Sequence, residues 1–141
     1  MARIANPFRI SYRGEYKSVM CVYKIWVGNK YFIGSAKALK QHIEQLSIGI
    51  DRQLRNGIKP DNLYYDLIIE IQKTNVQVVE AEVIYTAISG YSMLRSCYNE
   101  LQICKNDSNC LNNTYHPYIP GWVSFKDKEE YTDFINNISN K

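Results

Sequence analysis

A tight chain reversal between two β-rich segments is the feature that most restricts how this chain can fold. Residues 19–27 are rich in β-branched and aromatic side chains, and residues 30–33 resume that character. Gly28 and Asn29 separate the two segments, and both residue types suit the backbone angles of a two-residue hairpin turn. The sequence therefore predicts an antiparallel hairpin.

A long amphipathic helix is predicted directly after the hairpin. Ser35 is a candidate N-cap for this helix, and apolar residues then recur every three or four positions, as on a buried helical face. Gly49 either breaks the helix or passes it into a second one. The predicted buried stripe is Leu39, Ile43, Leu46 and Ile50.

The remaining elements complete a small mixed fold. Periodicity predicts further helices over residues 61–71, 92–105 and 124–138, and a third strand over residues 76–85. The predicted fold class is α/β in the α+β sense, a small three-stranded antiparallel sheet flanked by helices. A length of 141 residues suits one domain, which we place at residues 19–141 with a C-terminal loop and helix.

Residues 1–18 read as an extended basic arm that precedes this domain. Apolar and polar residues alternate from Phe8 to Tyr12, so part of the arm could pair as an edge strand. We otherwise expect the arm to pack little on its own domain and to become ordered on phosphates or a protein partner; a solvated terminus is the simpler alternative. Its basic residues are Arg3, Arg9, Arg13 and Lys17.

Charge and cysteine content restrict the function classes only mildly. The formal net charge of +3 is too small to indicate nucleic-acid binding by itself. No C-x-x-C pair occurs, so a zinc site is not expected, and free thiols in a reducing, cytoplasmic compartment fit better. No signal-peptide segment or membrane-spanning run is seen. The cysteines are Cys21, Cys97, Cys104 and Cys110.

The hairpin resembles that of the GIY-YIG endonuclease family. Residues 21–23 read Cys-Val-Tyr where the family has Gly-Ile-Tyr, and residues 32–34 read Phe-Ile-Gly where it has Tyr-Ile-Gly. A Glu on a later helix and an Asn beyond it, Glu100 and Asn112, follow in the family's order. The resemblance covers about two-thirds of the chain, residues 20–113, and rests on the ordered combination because no single piece is specific.

The resemblance implies a site for phosphodiester cleavage. In the family, a helical Glu holds one divalent cation, a motif Tyr helps to activate water, and an Arg on the first helix stabilises the transition-state charge. Carried over by position, Tyr23 matches the first motif tyrosine, Glu100 the metal ligand for Mg²⁺ or Mn²⁺, and Asn112 the supporting Asn. Lys37 joins Arg3, Arg9 and Arg13 as a candidate nucleic-acid contact.

Two positions depart from the family pattern. Phe32 stands where the second motif tyrosine belongs, and phenylalanine neither accepts nor donates a proton. His42 stands where the helix Arg belongs, and a neutral imidazole lacks the permanent charge and the fork of donors. Each matched residue also has an ordinary structural explanation: Tyr23 and His42 can pack at the core, Glu100 can be solvated, and Asn112 can form a turn.

Three functions follow from this mixed result. The first is a non-catalytic GIY-YIG-like module with a binding or structural role, which needs no cofactor and contacts DNA or other protein subunits. The second is a metal-dependent DNA endonuclease with a rearranged site, and the third is a plain α/β interaction domain. Abundant Asn, Ile and Lys have AT-rich codons, which suggests a phage or mobile-element protein, such as a virion component inside a phage particle.

Overall fold

A computed structural model describes residues 7–14 and 18–139 of the chain. It contains four strands and four helices in those residues, and the hairpin predicted from Gly28 and Asn29 is confirmed, with Gly28 at a φ of 66°. The elements are β1 Arg9–Tyr12, β2 Cys21–Val27, β3 Lys30–Ala36, α1 Leu39–Asn56, α2 Tyr65–Thr74, β4 Val78–Thr86, α3 Gly90–Ile103 and α4 Phe125–Ser139.

The strands form one sheet in the order β1-β4-β2-β3. Strand β2 lies antiparallel to both β3 and β4, as predicted for the three strands of the domain. The sheet as a whole has four strands and is mixed, because β1 joins β4 in parallel. The predicted α+β class is therefore confirmed, and the prediction of a purely antiparallel three-stranded sheet is corrected.

The described part of the arm packs on the domain. Phe8 and Ile10 are buried, the Phe8 N–H donates to Asp51 Oδ1 of α1 at 2.9 Å, and the Arg9 N–H donates to the Gln77 carbonyl at 3.0 Å. The edge-strand alternative is confirmed for residues 9–12, and the expectation of little packing is wrong for residues 7–14. Arg3 and Lys17 lie outside the described residues.

Helices cover both faces of the sheet. Side chains alternate between the two faces of the sheet along β2. Tyr23 and Ile25 therefore pack in an apolar cluster with α1 and α2, and Val22 packs in another with α3 and α4. The predicted stripe of α1 is buried. Helix α1 begins at Leu39 rather than near Ser35, because β3 continues to Ala36, and it runs without a break through Gly49.

The cysteines belong to the packed interior. Cys21, Cys97 and Cys104 are buried free thiols, and Cys110 is a half-buried one. Cys97 and Cys104 lie seven residues apart, about two helical turns, and enter the same apolar cluster under α3. Within residues 7–14 and 18–139, no helix combines the length and the apolar character that a membrane span requires.

Candidate functional site

Tyr23 and Gly34 are paired across the hairpin, and the glycine makes room for the tyrosine ring. The two residues are register partners on β2 and β3. A Cβ atom at Gly34 would lie 2.5 Å from Tyr23 Oη and 2.6 Å from Cζ, so only glycine lets the ring lie across the neighbouring strand. This close approach buries Tyr23 completely.

The Tyr23 hydroxyl meets His42 of α1. Tyr23 Oη lies 2.6 Å from His42 Nε2, and burial lowers the pKa of His42, so the imidazole is neutral at pH 7. A neutral imidazole has one acceptor nitrogen, and the phenol is the natural donor to it. Burial, followed by the neighbouring Tyr64 phenol, holds the pKa of Tyr23 well above its usual range. The pair is therefore uncharged at neutral pH.

Tyr64 brings a second phenol to this face of the sheet. Its ring lies 5.3 Å from the Phe32 ring and 6.5 Å from the His42 ring, between centroids. Phe32 itself is buried in the core. Tyr64 was not found from the sequence, because it lies on the turn before α2 and no local pattern marks it. Its phenol lies close enough to Tyr23 to help raise the pKa of that residue.

Glu100 does not join these residues. It lies on α3, across the sheet from the cluster that holds Tyr23. Its Oε2 atom is 3.6 Å from Lys24 Nζ and 3.6 Å from Cys104 Sγ, and Lys24 follows Tyr23 on β2 and so points to the opposite face. The structure therefore separates the candidate metal ligand from the Tyr23–His42 pair.

A cavity of about 260 Å³ opens beside the free edge of β3. It extends from His42 and Tyr64 on one side to α3 and to the loop before α4 on the other. Helix α3 lines it with Cys97 and Leu101 rather than with Glu100. Burial, and then the charge of Glu100, raise the pKa of the Cys97 thiol to about 12, so this wall is neutral. Of the described lining residues, none is Asp or Glu.

Asn112 fixes the loop that walls the cavity. Its Oδ1 accepts from the Ile33 N–H at 2.8 Å, and its Nδ2 donates to the Ile33 carbonyl at 2.9 Å. The Leu111 N–H likewise donates to the Tyr31 carbonyl at 2.7 Å. The loop thus extends the sheet past β3, with Asn112 Oδ1 and Nδ2 each bonded to main chain and Cys110 Sγ also donating to Oδ1 at 3.5 Å.

The candidate nucleic-acid contacts lie at opposite edges of the sheet. Arg9 and Arg13 belong to the β1 edge, where Arg13 pairs with Glu80 at 3.0 Å and stacks on Trp26. Lys37 follows β3 and lies 5.6 Å from the Trp122 ring centroid. These residues do not form one basic surface, and Arg3 is outside the described residues.

The half-buried, neutral His42 predicts a pH dependence of stability. Its pKa falls below the ordinary 6.5 on folding, so the unfolded chain binds the proton more readily. This contribution to the free energy of unfolding is present above pH 6.5 and is lost as the pH falls toward the folded-state pKa. Urea unfolding of wild type and His42→Gln across about pH 5 to 8 tests this. Equal pH slopes in the two proteins would show that His42 is not responsible.

The donor set of the cavity does not suit a divalent cation. Within the described ranges, no group of three or more His, Cys, Asp or Glu side chains converges as metal ligands. Magnesium and manganese prefer carboxylate oxygens, whereas His42, Tyr64 and Cys97 offer neutral groups.

Comparison of the chain with models of protein families, with curated proteins and with solved structures finds no match.

Proposed function

We propose that this chain is a non-catalytic GIY-YIG-like module that binds a partner, either DNA or another protein subunit, and needs no cofactor. The observation that carries the proposal is that the candidate site residues lie on opposite faces of the sheet. Tyr23 and His42 lie on the α1 side, while Glu100 is paired with Lys24 on the α3 side. Cleavage by the family's chemistry needs these groups around one phosphate.

Electrostatics supports the same proposal. A metal-assisted cleavage needs an anionic ligand for the cation and a positive group for the transition state. The cavity offers Cys97 with its raised pKa and His42 with its lowered pKa, both neutral at pH 7. Losing one such group costs about two to four orders of magnitude in rate. The described lining has no carboxylate for the cation, and a neutral imidazole stands at the position of the family's Arg.

The geometry of the rim supports binding. Trp122 and Tyr118 expose 36% and 60% of their surface at the cavity, although large aromatic rings are usually buried more deeply in a folded domain. Lys37 stands beside Trp122. Exposed aromatic rings beside a cation can stack on a ligand and attract its charge, which supports a binding role. The abundance of Asn, Ile and Lys, which have AT-rich codons, agrees with a phage or mobile-element source. In a phage, such a module would serve as a virion component.

One observation favours the alternative of a metal-dependent endonuclease with a rearranged site. The Tyr23 hydroxyl and His42 Nε2 are 2.6 Å apart, which is the spacing of a proton-transfer pair. Tyr64 adds a second phenol beside this pair. This alternative still requires a carboxylate on the same side of the sheet, and Glu100 would have to leave Lys24 to supply it.

Incubation with supercoiled plasmid and Mg²⁺ or Mn²⁺ tests the proposal. We expect no nicking by the wild type, and none by the Phe32→Tyr/His42→Arg double variant, because neither change brings a carboxylate into the cavity. Addition of Cys97→Glu to the double variant supplies that carboxylate and is the probe for recovered activity. Wild-type nicking that disappears in Glu100→Ala would overturn the proposal, whereas nicking that survives in Glu100→Ala indicates a contaminating nuclease.

A further inference from the structure

We propose that the cavity beside β3 binds a mononucleotide unit, a planar base carrying a phosphate. This names the ligand class for the binding role proposed above and rests on it. The three observations that carry it are an open stretch of strand edge at Ser35, an aromatic rim, and, among the described lining residues, one lysine and no carboxylate.

The edge of β3 is occupied up to Ile33 and open beyond it. Tyr31 and Ile33 turn their N–H and C=O groups outward, where Asn109, Leu111 and Asn112 satisfy them. Because outward and inward groups alternate along a strand, Ser35 presents its N–H and C=O outward in the same way. No described residue bonds to these two groups, and Ser35 lines the cavity.

The Asn112 amide shows what kind of group this edge accepts. It places one acceptor and one donor side by side in a plane, at 2.8 and 2.9 Å from the Ile33 N–H and C=O. A nucleobase carries the same neighbouring acceptor and donor along its edge. A base beside Ser35 would therefore continue the pattern that Asn112 begins.

The rim supplies the remaining contacts. Base rings stack on aromatic side chains without a requirement for sequence, and Trp122 and Tyr118 are exposed at the cavity. Lys37 Nζ near the Trp122 ring would contact the phosphate, and the lining offers no described carboxylate to repel it. A volume of about 260 Å³ admits one nucleotide unit and excludes a duplex.

Amide-resolved NMR titration of the full chain tests this inference, with thymidine 5′-monophosphate and adenosine 5′-monophosphate as probes. We expect saturable shifts at the Ser35 amide and the Trp122 indole, with a dissociation constant on the order of 1 mM or tighter. Thymidine alone and ribose 5-phosphate alone should each bind more weakly, because each lacks one of the two recognised parts. No saturable shift at Ser35 with either nucleotide would overturn the inference.

Matched variants separate the site from general charge attraction. Lys37→Met should weaken binding about tenfold, because a charge-assisted hydrogen bond is lost. Trp122→Ala should weaken it about tenfold through lost stacking. Lys40→Met removes an exposed lysine outside the cavity and should leave binding unchanged. Equal losses in Lys37→Met and Lys40→Met would contradict the inference.

Two further arms identify the source of the nucleotide and exclude a peptide. If a short oligothymidylate binds only when it carries a 5′-phosphate, the ligand of the cavity is the end of a nucleic-acid strand. If the free nucleotide binds and the oligonucleotide does not, the ligand is a free mononucleotide. Either result supports the inference. Shifts at Ser35 with a blocked aromatic dipeptide, and none with nucleotides, would overturn it. These results do not depend on the plasmid assay, so plasmid cleavage with nucleotide binding would reject only the non-catalytic role.

Discussion

Gly34→Ala should destabilise the protein by about 3 kcal/mol, near the upper end of the usual overpacking cost. The new Cβ atom would lie 2.5 Å from Tyr23 Oη and 2.6 Å from Cζ. Tyr23 is fully buried and its hydroxyl is held by His42, so the ring has no open space to enter. The midpoint of urea unfolding should fall, while the slope of the free energy of unfolding against urea concentration stays the same.

Gly121→Ala is the matched control for this substitution. A Cβ at Gly121 meets nothing within 4 Å, so a change near zero is expected there. Combining Gly34→Ala with Tyr23→Leu should recover part of the loss, because the shorter side chain vacates the space beside the strand. Additive effects of the two substitutions, or equal effects of the two glycine variants, would show that Tyr23 does not require this glycine.

Asn112→Ala should destabilise the protein by about 2–4 kcal/mol, because it leaves both the N–H and the C=O of Ile33 without their partner. Ile33 is buried, so water cannot fully replace the lost amide. The loop would also detach from β3 and open one wall of the cavity. Urea unfolding measures the loss, and amide exchange at Ile33 should accelerate with it.

Two substitutions check the assignment of Asn112. Asn113→Ala changes the neighbouring amide, which makes no bond to Ile33, and should have a small effect. Asn112→Asp keeps an acceptor for the Ile33 N–H but turns a second oxygen toward the carbonyl, so it should be nearly as harmful as alanine. A mild Asn112→Ala phenotype would mean that the loop is held by other contacts.

Local features of the fold could be predicted from the sequence, and long-range ones could not. Gly28 and Asn29 determine the hairpin through backbone angles, and the spacing of Leu39 and Ile43 reveals the buried face of α1. The parallel pairing of β1 with β4 joins segments far apart in the chain. The alternation from Phe8 to Tyr12 indicates a strand, but no local pattern shows that its partner is β4 or that the pairing is parallel.

The candidate site could be predicted only in part, because some of its contacts are local in the chain and others are long-range. Tyr23 and His42 do meet, because the hairpin and the first turn of α1 place them within one compact unit. Glu100 lies one helical position from Leu101, which lines the cavity. One position turns a side chain by about 100° around the helix, so the rotation of α3 against the sheet decides which residue faces the cavity. The sequence does not reveal that rotation.

Among the described residues, no carboxylate lines the cavity beside β3, and titration with Mn²⁺ followed through backbone amide NMR signals tests this most directly. A bound Mn²⁺ ion broadens the signals of nearby amides, so the measurement locates the cation without requiring activity. Our proposal predicts that the Gly34 and Ser35 amides show no saturable broadening, because the described lining of the cavity contains no carboxylate to hold the cation. Saturable broadening at Gly34 and Ser35 that disappears in Glu100→Ala would contradict the proposal, since it would place the cation and its carboxylate at the Tyr23 side of the sheet.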